Sequence, residues 1–297
     1  MVHSLRRHSI KGIAIKLFEI LVHAVFPALV FTLCSNITLK NLLDEIRRPS
    51  KLLRISAVSI LVIPAVTAVI FKVFNADIVV TAIALIAAIA PGDSFALLEA
   101  ESKKANITLA AAIMAWLCIL MPFTVPLWLG VLSKTFHLTL KASPLEIFTT
   151  VAPLTVIPLA LGIFFREFSP KLSDVLKKIT GLFFRFSVII VSLVCLAYAS
   201  KGLSHYTAGS VMAIFLAVTA AMFLGYYCGL PDRKDRLTSA LSASLGNFAL
   251  IILVAHISYP EAHIAPQAIV FVLIRWLIIM FWYVLFRFSL RRSGEIF

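Results

Sequence analysis

The chain has 297 residues, of which 61% are hydrophobic and 14% charged, and its mean hydropathy is +1.01. Soluble domains average roughly 45–50% apolar and about 25% charged residues, so this composition excludes a soluble fold and indicates a protein of the lipid bilayer. The formal net charge of +13 raises the question of nucleic-acid binding. However, the basic residues lie mostly at the ends of apolar segments, and no nucleic-acid-binding motif accompanies them. They are interpreted as topology signals and contacts to anionic lipids, and nucleic acid is excluded as a partner.

Nine apolar segments follow one another along the chain, each with the roughly 20 residues that cross a bilayer. They predict transmembrane helices at residues 13–34, 53–74, 77–101, 106–132, 145–165, 181–200, 208–230, 237–258 and 264–288. Short polar stretches join them, and no soluble domain or linker is expected. The sequence therefore predicts an all-α polytopic membrane protein, in which residues 1–297 form a single transmembrane unit.

The segment between the first two predicted spans has the pattern of an amphipathic helix. Leu39, Leu42, Leu43 and Ile46 recur at helical spacing with basic residues between them. Such a helix lies in the plane of the membrane interface rather than across the bilayer. We therefore expect it to lie flat on the cytoplasmic surface.

Lysine and arginine orient the predicted bundle, because cytoplasmic loops carry an excess of basic residues. Alternate connections, including the one after residue 35 and the C-terminal tail, hold most of these residues. The pattern predicts a multi-pass protein of the cell (inner) membrane, with the N-terminus outside and the C-terminus in the cytoplasm. Arg6, Arg7 and Lys11 in the N-terminal tail depart from the rule.

Two of the predicted spans contain residues that interrupt helices. Pro-Gly-Asp-Ser at residues 91–94 lies inside the third span, and the polar stretch 242–247 lies inside the eighth. Proline lacks an amide donor and glycine disfavours helix, so the backbone is expected to open at both places. The residues that follow are alike, Ser-Phe-Ala-Leu at 94–97 and Asn-Phe-Ala-Leu at 247–250. In lipid, open backbone is tolerated only where protein or a wet cavity covers it.

The paired breaks predict a transporter site built from inverted repeats, because an odd helix offset makes the two broken helices run in opposite directions. Half-helices that begin near Ser94 and Asn247 would direct free amides and positive dipole ends at the bilayer midplane, which favours an anion. The predicted substrate-binding residues are Ser94, Asn247, Arg275, Gly92 and Gly246. Two unrelated kinks are the alternative interpretation, since glycine and proline are common in membrane helices.

Asp93, Ser242 and Glu19 are the predicted ion-coupling residues. An ionisable group inside a membrane costs roughly 2.5–3.5 kcal/mol or more, which marks Asp93 and Arg275 as candidate functional groups. Two interpretations stay open for them. They form a structural ion pair, or Arg275 binds an anionic substrate while Asp93 takes up a proton. Glu19 shares a helical face with a lysine and a histidine, which fits either a hydrated structural cluster or a proton relay.

The remaining reactive side chains predict neither a metal site nor a cofactor. The four cysteines are far apart in sequence and are interpreted as small core residues. His256 and His263 flank a predicted outer loop but lack a third metal ligand. The charged residues at the end of the third span are expected to be solvated; they are Glu99, Glu101, Lys103 and Lys104.

These motifs resemble those of the bile acid:sodium symporter-like family, within the wider bile/arsenite/riboflavin transporter group. The resemblance runs from about residue 20 to residue 285 and is carried by Ile37-Thr38-Leu39-Lys40, Arg48-Pro49, Ile63-Pro64-Ala65, Pro91-Gly92-Asp93-Ser94, residues 104–122 and Gly246-Asn247. It implies the nine-helix form of the family fold. Panel helices would then lie at about 13–34, 145–165 and 181–200. The core, at about 53–132 and 208–288, would contain the two broken helices, which cross at their breaks.

The chain departs from the family pattern at the positions that the resemblance assigns to sodium ligands. Oxygen-bearing side chains of the family fall here on Ala96, Leu97, Ala110 and Met114, while Ser242 replaces a glutamate and Ser59 a glutamine. Sodium is a hard cation that prefers oxygen ligands. The resemblance therefore implies the fold and the transport class, but not the sodium sites.

Together these features predict a secondary transporter that moves a small organic anion by alternating access, coupled to protons rather than to sodium. A sodium-dependent bile acid-type symporter is the main alternative. An arsenite efflux carrier would have a cysteine where Gly92 stands. An intramembrane aspartyl protease would need a second aspartate beside Asp93 to share a proton. No enzymatic activity is expected, and the oligomeric state is left open.

Overall fold

The computed structural model describes residues 24–138, 142–247, 250–251, 254 and 265–292. All regular structure in this part of the chain is helical. The helices are α1 (Ala24–Cys34), α2 (Leu39–Ile46), α3 (Pro49–Val73), α4 (Ile78–Ile89), α5 (Phe95–Ser102), α6 (Ile107–Phe136), α7 (Pro144–Phe168), α8 (Pro170–Gly202), α9 (Ala208–Cys228), α10 (Arg233–Ser244) and α11 (Ala265–Arg292). The predicted coupling residue Glu19 lies outside the described residues.

Several of these helices have the length and composition of membrane spans. Among the described residues, five helices qualify, namely α3, α6, α7, α9 and the stretch Pro266–Phe286 of α11. The number becomes six if α1 and α2 are taken together. Many large apolar side chains on the outer faces are exposed, as expected of helices that face lipid. The prediction of an all-α, multi-pass membrane protein is thus confirmed, while the number of nine spans stays a prediction.

The segment after α1 forms the predicted amphipathic helix. Thr38 caps α2, since its hydroxyl oxygen accepts the backbone N–H of Asn41 at 3.3 Å. Leu42 is buried, whereas Leu39 and Leu43 are exposed. The axis of α2 is bent by 94° from that of α1. If α1 crosses a bilayer, α2 lies in its plane, which agrees with the predicted interfacial position.

A π-helical turn in α3 accommodates a proline. Val58–Val62 forms the turn, and Pro64 follows it two residues later. Proline leaves the carbonyl four residues earlier without its usual donor, and in membrane helices a local π turn or a neighbouring side chain compensates. Here the indole Nε1 of Trp128 on α6 donates to the Ile60 carbonyl at 2.6 Å. This bond joins α3 to α6 beside the centre of the protein.

Two short helices, α4 and α10, form the centre of the fold. In α4 every residue from Val80 onward is buried, and in α10 every residue from Leu237 to Ser244 is buried. The α10 helix packs closely against α9 because a small residue of α9 faces it. A Cβ on Gly225 of α9 would lie 2.6 Å from the Ser239 carbonyl oxygen, so glycine allows the two backbones to touch. Both central helices end at the predicted breaks.

The hydropathy pattern predicted the wrong start for α8. The predicted span begins at residue 181, whereas the helix begins at Pro170. Proline favours the first turn of a helix, and the polar residues that follow it remain helical. The hydropathy pattern marks the part of a helix that lies in lipid, so it misses turns that extend beyond the lipid.

Candidate functional site

Both predicted interruptions are present in the structure. The first lies between Ile89 at the end of α4 and Phe95 at the start of α5, and the second begins after Ser244. Gly92 adopts a φ of +89°, a backbone conformation that residues other than glycine rarely adopt. The prediction that the backbone opens at residues 91–94 and near residue 245 is therefore confirmed.

The two open segments contact each other. Pro91 and Gly246 form an isolated antiparallel bridge, and the Asn247 N–H donates to the Ala90 carbonyl at 2.7 Å. The Asn247 side-chain oxygen accepts the N–H of Leu250 at 3.2 Å, as a helix N-cap does. The backbone groups freed by one break are thus partly satisfied by the other, which is how open backbone is accommodated inside a membrane protein.

Gly246 permits this close approach, and its replacement is expected to separate the two breaks. A Cβ at this position would lie 2.3 Å from the Ala87 carbonyl oxygen and 2.8 Å from Nη1 of Arg275. Gly246→Ala should therefore lower the free energy of unfolding by about 1–3 kcal/mol through overpacking. Gly130→Ala is the matched control, because nothing lies within 4 Å of its Cβ. Equal thermal unfolding midpoints for the two variants would contradict this account.

Asp93 lies at the N-terminal end of α5. Its side chain is buried, with the residue 3% exposed, and its carboxylate faces the backbone N–H groups of Ser94 and Phe95. The N-terminal end of a helix carries a partial positive charge, so it favours a carboxylate at this position. Ser94 itself is also buried and precedes the first residue of α5. Asp93 thus occupies the place at which an anionic substrate was predicted to bind.

Arg275 lies beside the C-terminal end of α10. Its Nε donates a hydrogen bond to the carbonyl of Ser244, the last residue of α10, and the residue is 8% exposed. The C-terminal end of a helix carries a partial negative charge and favours a cation. Asp93 and Arg275 interact electrostatically, although within the described residues they form no ion pair within 4.0 Å. Each charge therefore faces a helix end and also interacts with the other charge.

Arg275 also lines a narrow cleft between α3, α4, α9 and α11. Thr67 is the other polar residue of its wall, and the remaining lining is apolar, including Phe71 and Phe271. The cleft has a volume of about 20 Å³, which is enough for one water molecule. The guanidinium centre lies 5.8 Å from the Phe271 ring centroid. The cleft thus places the Arg275 guanidinium against an apolar wall.

The remaining predicted coupling position, Ser242, is buried in α10. Its hydroxyl and that of Ser59 in α3 have no hydrogen-bond partner in the part of the chain that the structure describes. The four positions at which the resemblance expects oxygen ligands carry buried apolar side chains; they are Ala96, Leu97, Ala110 and Met114. These four positions therefore offer a cation no side-chain oxygen.

One expectation about α5 is wrong. Glu99 and Lys103 were expected to be solvated, but they are only 7% and 8% exposed and form an ion pair. The indole N–H of Trp276 donates to Glu99 at 3.0 Å, and the Lys103 ammonium lies 4.6 Å from the Tyr283 ring centroid. The four-residue spacing of the pair is visible in the sequence, but the helix that covers it is not.

A second charged cluster joins α2, α3, α6 and α10. Lys51 forms an ion pair with Asp235, and both are buried. The Asn106 amide donates to Asp235 at 2.8 Å and to Glu45 at 3.0 Å. This network fixes α2 against the end of α10. Within the described residues no group of His, Cys, Asp and Glu side chains has the arrangement of a metal site.

Part of the chain matches a known protein family. The model of the sodium bile acid symporter family matches residues 25–208, which is more than half of the chain and includes the first break. The match ends before the second break, which in the structure contacts the first one through Pro91 and Gly246. No curated protein matches the chain. The chain belongs to the sodium bile acid symporter family, a family of membrane transporters.

Proposed function

We propose that the protein is a secondary transporter that carries a small organic anion across the membrane together with a proton. The observation that carries the proposal is the contact between two interrupted helices, with Asp93 and Arg275 buried at their ends. Discontinuous helices of this kind form substrate and ion sites in many secondary transporters. The proposed location is the cell membrane, with the N-terminus outside and the C-terminus in the cytoplasm.

The anion would bind at the start of α5, beside Arg275. Backbone N–H groups at Ser94 and Phe95 and the positive end of the helix are suited to a carboxylate or a similar group. The guanidinium of Arg275 has five N–H donors, of which Nε–H is used by the Ser244 carbonyl. Its other donors would serve the substrate. Asn247, Gly92 and Gly246 would shape the site through their backbone, since they hold the two breaks together.

Asp93 would couple the anion to a proton by competition. When ionised, Asp93 occupies the helix end and the field of Arg275 that the anion requires, so the two negative charges repel each other. When protonated, it no longer competes, and the anion can bind. Proton and anion would then bind and leave together. Glu19, which lies outside the described residues, stays a second candidate for the titrating group.

Alternating access would consist of a motion between two groups of helices. By family resemblance, α1, α7 and α8 would form the panel, and the other spans would form the core. Asn36, at the end of α1, donates to Glu101 of α5 at 3.5 Å. This exposed contact between the two groups can break at little cost, as a rocking motion requires.

Sodium symport is the second candidate function, and the unpartnered hydroxyls of Ser59 and Ser242 favour it. Both side chains are buried and could contribute oxygen ligands to a cation. The proposal of proton coupling is favoured by Ala96, Leu97 and the other apolar side chains at the remaining positions, because carbon cannot coordinate sodium. Arg275 already supplies a cation to the carbonyl end of α10. These two functions make opposite predictions about sodium.

We expect transport to be independent of sodium. A thermal-shift screen of the purified protein against carboxylates, including cholate and benzoate, would first identify the probe anion, defined as the one that stabilises it most. Uptake of the probe anion into proteoliposomes is then compared in sodium and choline buffers at one pH. Equal uptake rates in the two buffers are expected, because the set of oxygen ligands for sodium is incomplete. A saturable, roughly tenfold stimulation by sodium that Ser242→Ala abolishes would instead support sodium symport.

A further inference from the structure

The ion pair of Glu99 and Lys103 lies outside the proposed site and has no part in the mechanism above. Both residues are buried, although their neighbours Glu101, Ser102 and Lys104 on the same turn are exposed. The pair therefore lies just inside the end of α5 that is farther from the break. Placing two charges there has a substantial desolvation cost.

The partners of this pair outside α5 belong to α11. Trp276 donates to one carboxylate oxygen of Glu99, while the other oxygen contacts the Lys103 ammonium. The ammonium also lies 3.7 Å from the Met280 sulfur and 4.6 Å from the Tyr283 ring centroid. Residues four and seven positions apart on a helix share one face. Met280 and Tyr283 therefore extend the contact of Trp276 along a single side of α11.

Stability alone does not account for such a pair. Well-packed apolar residues in place of a buried ion pair are often neutral or stabilising. A charged, hydrogen-bonded contact differs from an apolar one in fixing direction and register, because the indole N–H has one acceptor in one geometry. The contact between Glu99 and Trp276 therefore fixes how α11 lies along α5.

The residue next to this contact on α11 is Arg275. Arg275 immediately precedes Trp276, so a shift or rotation of Trp276 moves the guanidinium as well. The structure leaves little room for such movement, since Nη1 of Arg275 lies within 2.8 Å of where a Cβ on Gly246 would stand. The Nε of Arg275 also donates a hydrogen bond to the Ser244 carbonyl, which further restricts the guanidinium.

We propose that Glu99 is a positioning residue, which acts through Trp276 to hold Arg275 at the crossing of the two breaks. Lys103 keeps the Glu99 carboxylate oriented towards Trp276. The inference rests on the proposed function, in which Arg275 serves both the anion and Asp93. It adds a second contact between α5 and α11, about one and a half helical turns from the break.

Double-mutant cycles on the full-length protein in detergent test this positioning role. Asp93→Asn removes the carboxylate that interacts with Arg275, and its effect on the thermal unfolding midpoint is measured in the parent and in Trp276→Phe. Coupled residues give non-additive effects. Trp282→Phe is the matched control, because the Trp282 indole also donates one hydrogen bond from α11, to the Thr219 hydroxyl at 2.8 Å.

The shift caused by Asp93→Asn is expected to fall by at least half in Trp276→Phe and to stay unchanged in Trp282→Phe. Equal shifts in all three backgrounds would overturn the inference. Glu99→Gln retains an acceptor oxygen and should preserve the coupling, whereas preserved coupling in Glu99→Leu would count against the role of Glu99. These measurements require no transport. Failure of the proposed function would be seen separately, as uptake by the parent that does not respond to a pH gradient.

Discussion

Replacement of Arg275 by glutamine should weaken binding of the probe anion by about 1.5–3 kcal/mol, the scale of a hydrogen bond to a charged group. This corresponds to a roughly 10- to 150-fold increase in Kd. The guanidinium is buried, interacts electrostatically with Asp93 at the start of α5, and lies beside an apolar cleft. Glutamine keeps an amide NH₂ group that can donate to the Ser244 carbonyl, but it removes the charge and three of the five N–H donors. Isothermal titration of the purified variant with the probe anion measures the effect.

The variant should also be less stable, which calls for two controls. Loss of Arg275 leaves the Asp93 charge buried without the cation that interacts with it, which should lower the free energy of unfolding. The double variant Arg275→Gln/Asp93→Asn removes both charges and should recover much of the stability, but not the affinity. Arg236→Gln is the matched control, since Arg236 lies over the Tyr226 ring, 4.9 Å from its centroid, near the other end of α10. A folded Arg275→Gln protein with parental affinity would make Arg275 purely structural.

The breaks could be predicted from the sequence because their causes are local. Proline at 91 and glycines at 92 and 246 restrict the backbone whatever surrounds them. The amphipathic α2 could be predicted for the same reason, since its pattern is contained in eight residues. Asp93 and Arg275 could be singled out because a charge in an apolar segment is conspicuous. The sequence could not predict that Asp93 and Arg275 face two different helix ends, because this depends on how α4, α5, α10 and α11 pack together.

The burial of Glu99 and Lys103 shows where local reasoning fails. Charged residues in the last turn of a membrane helix are usually solvated, so the sequence alone favours exposure. The residues that bury them, Trp276 and Tyr283, are more than 170 positions away. The hydrogen bond from Trp128 to the Ile60 carbonyl likewise joins residues that are far apart in sequence. Pro64 predicts a free carbonyl, but only the packing of α6 against α3 supplies its donor.

Replacement of Asp93 by asparagine should abolish accumulation driven by a pH gradient while preserving substrate exchange. Asparagine has nearly the same shape as aspartate but carries no charge. It cannot gain or lose a proton in the physiological range. If Asp93 is the coupling group, uptake of the probe anion against its gradient can no longer be driven by proton movement in this variant. Exchange of internal for external anion moves no net proton and should continue at a rate close to that of the parent.

The competition between Asp93 and the anion adds a second expectation for the same variant. Asparagine resembles the protonated carboxyl, so the start of α5 and Arg275 should be open to the anion at every pH. Binding of the probe anion to Asp93→Asn should therefore lose the pH dependence that it has in the parent, and its affinity should equal the parent's at low pH. Thermal shift and counterflow in proteoliposomes measure the two properties separately. Accumulation driven by a pH gradient at the parental level would show that Asp93 is not the coupling group. Glu19 would then be the next residue to replace, and a variant of both carboxylates that still accumulates anion would exclude a side-chain proton carrier at either position.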